Sequence, residues 1–249
     1  MIGTGVHPQT AANKLSSIDW TAEIDIETII SEANQRKHWQ IEDLKAREEK
    51  RKQAEEQREQ LLSTWKAKTF YNLIKFHFMQ VRGEFIRNEH NELLIKAICY
   101  FLSSDPRFET ELNFSFNKGL MLIGESGTGK TEVIRAVANN PLWPIRIHSI
   151  IDIIFTVKQI GECELNTQQL LMIDDVGTEA EVVNHYGTKM TWFKDFIETY
   201  YLTYRSYNGL IITTNLGGAQ IEARYGYRVR SRLREMFNQI QLTGNDLRK

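Results

Sequence analysis

The chain has 249 residues, 31 Lys and Arg against 32 Asp and Glu, and a formal net charge of -1. That length suits one α/β domain with an appendage, and the charge balance excludes a globally basic nucleic-acid binder, so any such contact must come from local patches. Two separated cysteines, six histidines without metal-ligand spacing, and the absence of a long apolar run exclude a disulfide scaffold, an HExxH-type centre and a membrane-spanning helix. The first twenty residues have neither a basic n-region nor an apolar h-region, so a cytoplasmic protein with reduced thiols is expected.

In chain order, residues 1–19 are polar with Gly3, Gly5 and Pro8 and read as a frayed tail. A short helix is expected over Trp20–Ile30. Glu32–Lys68 contains no Gly or Pro and is rich in strong helix formers, with Asp43–Arg47 and Glu48–Lys52 at i,i+4. Between Lys45 and Gln60 the only apolar residues are alanines, too few for a coiled-coil seam. This stretch reads as a solvated single helix, or else as an arm that holds a partner. Leu61–Met79 is apolar and aromatic again and predicts a helix packed on a surface, either within an N-terminal module or on a partner. Another helix is expected over Asn91–Ser103, ended by "SSDP".

From Gly119 the pattern becomes strand, helix, strand. Strands are expected at Leu120–Ile123, Ile145–His148, Leu170–Ile173, Leu210–Thr213 and Gln239–Leu242. Helices are expected at Lys130–Ala138, Ile150–Ile160, Met190–Tyr204, Gln220–Tyr225 and Val229–Met236. Short apolar runs separated by helices predict a parallel sheet covered on both faces.

Three strand ends carry chemistry. "GESGTGKT", Gly124–Thr131, follows an apolar strand and opens a helix, as a phosphate loop must. Gly124, Gly127 and Gly129 let the backbone approach phosphate oxygens, with Ser126 and Thr128 between them. Lys130 faces the β- and γ-phosphates, and Thr131 offers a hydroxyl to Mg²⁺. "LLMIDDVG", Leu170–Gly177, ends in two carboxylates: Asp174 is placed to hold Mg²⁺ and Asp175 to activate a water. Asp-Asp-Gly is also ordinary turn chemistry. "LIITTNL" ends in Asn215, an amide able to orient that water. "RYGYRVRSRLREMF", Arg224–Phe237, puts Arg228 and Arg232 one helical turn apart. It reads either as a basic helix facing DNA or as the source of an arginine that reaches a neighbouring subunit's phosphate. In the segment before it, Lys189, Trp192, Phe193 and Lys194 combine base and aromatic character suited to single-stranded DNA, while Trp192, Phe196 and Tyr200 are spaced as a buried helix face.

Taken together, these strings, with "LTGNDLRK" at Leu242–Lys249, resemble AAA+ ATPases of the DnaC/IstB type, over about Asn113–Lys249. The resemblance implies an AAA+ core with sheet order 5-1-4-3-2 and no large lid, over residues 88–249, preceded by an all-α region over 20–87 that grips a partner. It implies ATP and Mg²⁺ as cofactors, and an assembly with ATP at subunit interfaces. By position it makes Asn215 sensor 1, Arg232 the arginine finger with Arg228 a close second, and Arg248 a second, cis-acting arginine. It implies action on DNA, most simply as a replicative helicase loader; the alternatives are a transposition ATPase of the IstB type and a nucleotide-dependent scaffold with negligible turnover. The partner is then a helicase or a transposase, and the DNA single-stranded. Many members carry Glu where this chain has Asp175, which implies slow hydrolysis.

Overall fold

A computed structural model describes residues 26–160, 163, 165, 169–179, 183–185, 188–204 and 206–243. The tail over 1–19 and most of the short helix expected at Trp20–Ile30 lie outside the described residues. Helix α1, Ile26–Thr64, is a single uninterrupted helix. Among its described side chains Trp39, Ile41 and Leu44 are 69%, 43% and 64% exposed, while Leu61 and Leu62 in the last turn pack against the core. Lateral support comes from one-turn pairs such as Arg47–Asp43 at 2.8 Å, each worth only about 0.3–0.5 kcal/mol.

Trp65 and Lys66 interrupt the helical run, and α2 follows over Ala67–Arg82. It is amphipathic where α1 is not: Ala67, Phe70, Ile74 and Phe78 are buried at three- and four-residue spacing. Its partners are α3, Glu89–Leu102, and the first strand and helix of the α/β region. Asn88 starts α3 with a reciprocal cap: its Oδ1 accepts from the His90 and Asn91 amides at 3.1 Å, and Asn91 Oδ1 accepts from the Asn88 amide at 3.0 Å. The chain divides into compact units between Glu56 and Gln57, because the apolar stripe of α2 enters the same core as the sheet.

After the short α4, Arg107–Thr110, come β1 (Gly119–Gly124), α5 (Lys130–Val137), β2 (Ile145–Ser149), α6 (Ile150–Ile160) and β3 (Leu170–Val176). A hairpin, β4 (Val183–His185) with β5 (Thr188–Met190), precedes α7 (Trp192–Thr203). The chain continues through β6 (Leu210–Thr214), α8 (Gly218–Tyr225), α9 (Tyr227–Met236) and β7 (Phe237–Leu242). The main sheet runs β2-β3-β6-β1-β7, parallel throughout. With its strands counted separately from the hairpin this is the expected 5-1-4-3-2. The hairpin was not anticipated: "EVVNHYGTKM" lacks the strict alternation of a half-buried strand.

The sheet separates two cores, and alternate residues of one strand feed each. Leu120 and Leu122 of β1 join the α2, α3 and α5 side, while Met121 joins the side of α6–α9. Leu170 and Met172 of β3 oppose Leu171 and Ile173 in the same way. This two-residue period turns a nearly continuous apolar strand into one buried on both faces. Among the described residues no helix is long and apolar enough to cross a membrane.

Candidate functional site: a phosphate loop facing an acidic strand tip

Parallel strands end on the same edge of the sheet, so β1, β3 and β6 deliver their last residues to one place. After β1 the chain turns through Gly127 and Gly129, both at φ +86°, a conformation that a side chain would disfavour, and enters α5 at Lys130. Amides at the start of α5 are left without helical acceptors, which is the physical basis of an anion site there.

Lys130 is only 5% exposed. Its ammonium donates to the carbonyls of Gly124 at 2.6 Å and Glu125 at 2.8 Å, and to Asn215 Oδ1 at 3.1 Å. The lysine therefore ties the loop after β1 to the tip of β6. Thr128 closes the loop by donating to the Glu125 carbonyl at 2.9 Å.

The acidic tip of β3 is a bulge. Ile173 pairs with Ile212 and Val176 with Thr214, so β3 advances three residues where β6 advances two. Asp174 and Asp175 occupy the excess. Asp174 is 7% exposed and accepts from Thr131 Oγ1 at 2.8 Å and Thr213 Oγ1 at 2.5 Å. Asp175 takes φ +59° and is exposed, and its amide donates to Thr213 Oγ1 at 2.8 Å. Aspartate tolerates that left-handed backbone better than most residues. A cavity of 210 Å³ joins Lys130, Thr131, Asp174 and Asp175 with Ser126, Arg82 and Arg135. A second cleft of 680 Å³ passes Gly124 and Thr128 and is walled by Ile86, His90, Ile123 and Leu242.

Beyond the bulge, Glu179 secures the turn. Its Oε2 accepts from the Gly177 amide at 2.7 Å, while Oε1 accepts from the Tyr225 hydroxyl. Burial first, then the Glu179 carboxylate, pushes the Tyr225 phenol well above its ordinary range, so it stays protonated and donating. Arg224 donates to the Glu179 carbonyl, so α8 is fastened to the loop that follows the acidic tip. Neither Glu179 nor Thr213 stands out in the sequence. Thr213 reads as the end of an apolar run, and Glu179 depends on a partner 46 residues away.

The arginine-rich end divides by environment. Arg230 pairs with Glu222. Arg232 is 15% exposed by side chain, lies 3.6 Å from Glu198 and stacks over the Tyr201 ring at 4.8 Å. Arg228 and Arg234 are exposed. In α7, Phe193 is buried and packs on Tyr225 at 5.0 Å, which removes it from any base-stacking surface. Of the expected helix face only Tyr200 is buried; Trp192 stacks on Phe196 at 5.0 Å and both are partly buried, because the fully enclosed face is Phe193, Ile197 and Tyr200, while Lys194 is exposed. Arg248 and the Lys189 side chain lie outside the described residues. Among the described residues no cluster of three or more His, Cys, Asp or Glu forms a metal site.

No family model matches the sequence, and no curated protein matches it. Among solved structures the chain is similar to "Crystal structure of the DnaC helicase loader", with TM-score 0.44 and 21% identity over 65% of this chain and 95% of that one. It is similar to "Crystal Structure of the DnaI", with TM-score 0.45 and 23% identity over 65% and 88%. It also resembles AMPPCP-bound DnaA from Aquifex aeolicus, with TM-score 0.42 and 21% identity over 66% and 50%. At these scores the likeness decides nothing by itself, and the chemistry rests on this chain's own residues.

Proposed function

We propose that the chain binds ATP with Mg²⁺ and hydrolyses it slowly, in an assembly acting on DNA during replication, most simply as a helicase loader. The observation that carries the nucleotide reading is that consecutive residues of the loop meet two different strand tips: Lys130 donates to Asn215 after β6, and Thr131 donates to Asp174 of β3. The motif order through Phe237 supports the loader assignment, and the exposed α1 supports a partner-binding role for the N-terminal region.

The residues fit the nucleotide. Left-handed glycines open the loop backbone, and the 680 Å³ cleft beside it has the apolar walls that a heterocyclic base requires. The Thr131 hydroxyl and the Asp174 carboxylate would hold Mg²⁺, an oxygen-only pair suited to a hard cation. When bound, the ion offsets charge on the terminal phosphates. Lys130 contributes a second positive charge and is kept in place by Gly124 and Glu125. Asp175, exposed on the same cavity, takes a proton from water, and the Asn215 amide orients that water. Arg228, exposed on α9, is the better placed of the two arginines to meet a neighbouring subunit, since Arg232 is engaged with Glu198 and Tyr201.

Nucleotide binding and phosphate release by the purified chain, with and without single-stranded DNA, test the reading. Lys130→Ala should lose both, whereas Asp175→Asn should keep binding and lose turnover by about 100-fold or more. A wild-type chain that binds no nucleoside triphosphate would end the proposal. Tight binding without release, even with DNA, would leave the scaffold reading, which the short Asp175 side chain favours.

A further inference from the structure

The phosphate cavity has a wall that the loop and the strand tips do not supply. Arg82, the last residue of α2, lines it together with residues of the loop after β1, the start of α5 and the tip of β3. Three cations thus border the cavity: Lys130, Arg135 and Arg82. Lys130 is committed to the loop carbonyls and Asn215, and Arg135 lies 3.7 Å from Glu132. Arg82 comes from an element outside the strand–loop–helix unit, partly buried, with its guanidinium 5.8 Å from the Phe78 ring.

Two features hold α2 at this edge. Phe70, Ile74 and Phe78 anchor its inner face in the core. His77 Nε2 lies 2.5 Å from Oε1 of Glu132, two residues after Lys130 in α5. A helix gripped by both a hydrophobic face and a polar clasp presents its terminal arginine at a fixed position. Arg82 also lines a neighbouring 450 Å³ cleft with Phe85, Ile86 and Thr128, so it stands between the phosphate cavity and an apolar groove. A planar five-donor guanidinium at that position suits the outermost, most highly charged oxygens of a polyphosphate.

We propose that Arg82 is a binding residue for the terminal phosphate, supplied in cis by α2, and that it sets the preference for nucleoside triphosphate over diphosphate. The proposal rests on the nucleotide reading of the site. The γ-phosphate adds about one negative charge and its oxygens to what Arg82 meets; a diphosphate ends before it. Binding of the triphosphate then tightens the α2 contact with α5, while the diphosphate leaves that contact as it is.

Calorimetry on the full chain with Mg²⁺ and either AMPPNP or ADP tests it. Wild type should bind both ligands. Arg82→Ala should weaken AMPPNP by about tenfold or more and leave ADP within about twofold. Arg82→Lys, which keeps the charge and loses the fork, should fall between them. Equal weakening of both ligands, or unchanged AMPPNP affinity, would overturn the proposal; if Arg82→Ala does not fold, Arg82→Lys and Arg82→Gln decide by the same ratio. A wild-type chain that binds neither ligand overturns the nucleotide reading itself, and this inference with it. Lys130→Ala, weakening both ligands together, marks the difference between losing the site and losing its discrimination.

Discussion

Asp174 and Asp175 are neighbours with opposite surroundings, and a single hydroxyl separates their roles. Thr213 Oγ1, itself fully buried, donates to the buried Asp174 carboxylate and accepts from the amide of the exposed Asp175. Thr213→Val keeps the shape and deletes both bonds. It should lower stability by about 1–3 kcal/mol in urea unfolding, because a buried carboxylate and an amide each lose a partner. Thr213→Ser should recover most of that loss. The two aspartates were legible because carboxylates at the end of an apolar strand are conspicuous. Thr213 was not, since its function depends on β6 lying beside β3, which no local pattern states. Cysteine chemistry is set by the same local burial. Cys99 is 3% exposed, and its thiol is pushed up to about 12, so in native protein at pH 8 it should resist iodoacetamide that alkylates it after unfolding. Alkylation of Cys99 at the unfolded rate in native buffer would show that the core around α3 opens readily.

Among elements, α1 and α2 illustrate how composition and periodicity divide the work. The charged run of α1 was legible as a solvated helix because alanines are its only apolar residues between Lys45 and Gln60. The stripe of α2 was legible as buried, but the surface that receives it was not: Phe70, Ile74 and Phe78 meet residues of α3, β1 and α5 that are distant in sequence. Truncation should separate the two. Removing residues 1–56 should leave a cooperatively unfolding core, because the compact unit begins at Gln57. Removing 1–87 should not, because it strips the apolar stripe that α2 contributes. Phe70→Ala, at a site with 0% exposure, should cost about 3–5 kcal/mol in the same measurement. A core that unfolds cooperatively without residues 1–87 would show that α2 is an accessory.

For the molecule as a whole, the sheet order was legible only through resemblance; apolar runs announce parallel strands but not which lie side by side. The chain places the proposed nucleotide site on the edge where β1, β3 and β6 end, and Arg228 exposed on α9. If Arg228 completes a neighbour's site, Arg228→Ala and Lys130→Ala should each be inactive alone and recover part of the phosphate release when mixed. The Lys130→Ala subunit still carries the arginine, and the Arg228→Ala subunit still carries a complete loop. No recovery on mixing, with both variants assembling normally, would place Arg228 outside a shared site.

The excess residue in β3 has a consequence for how this chain tolerates change. A strand that kept step with β6 would send successive side chains to opposite faces, and a single position would arrive at the edge where Thr131 waits. The slip lets two acids be stationed there at once, one enclosed and one facing water. Deleting either aspartate would therefore do more than subtract a charge: it would bring the strands back into step and merge two duties into one position. The enclosed and the water-facing carboxylate are set apart here by a phase difference between neighbouring strands, so a change in length at that point alters both together.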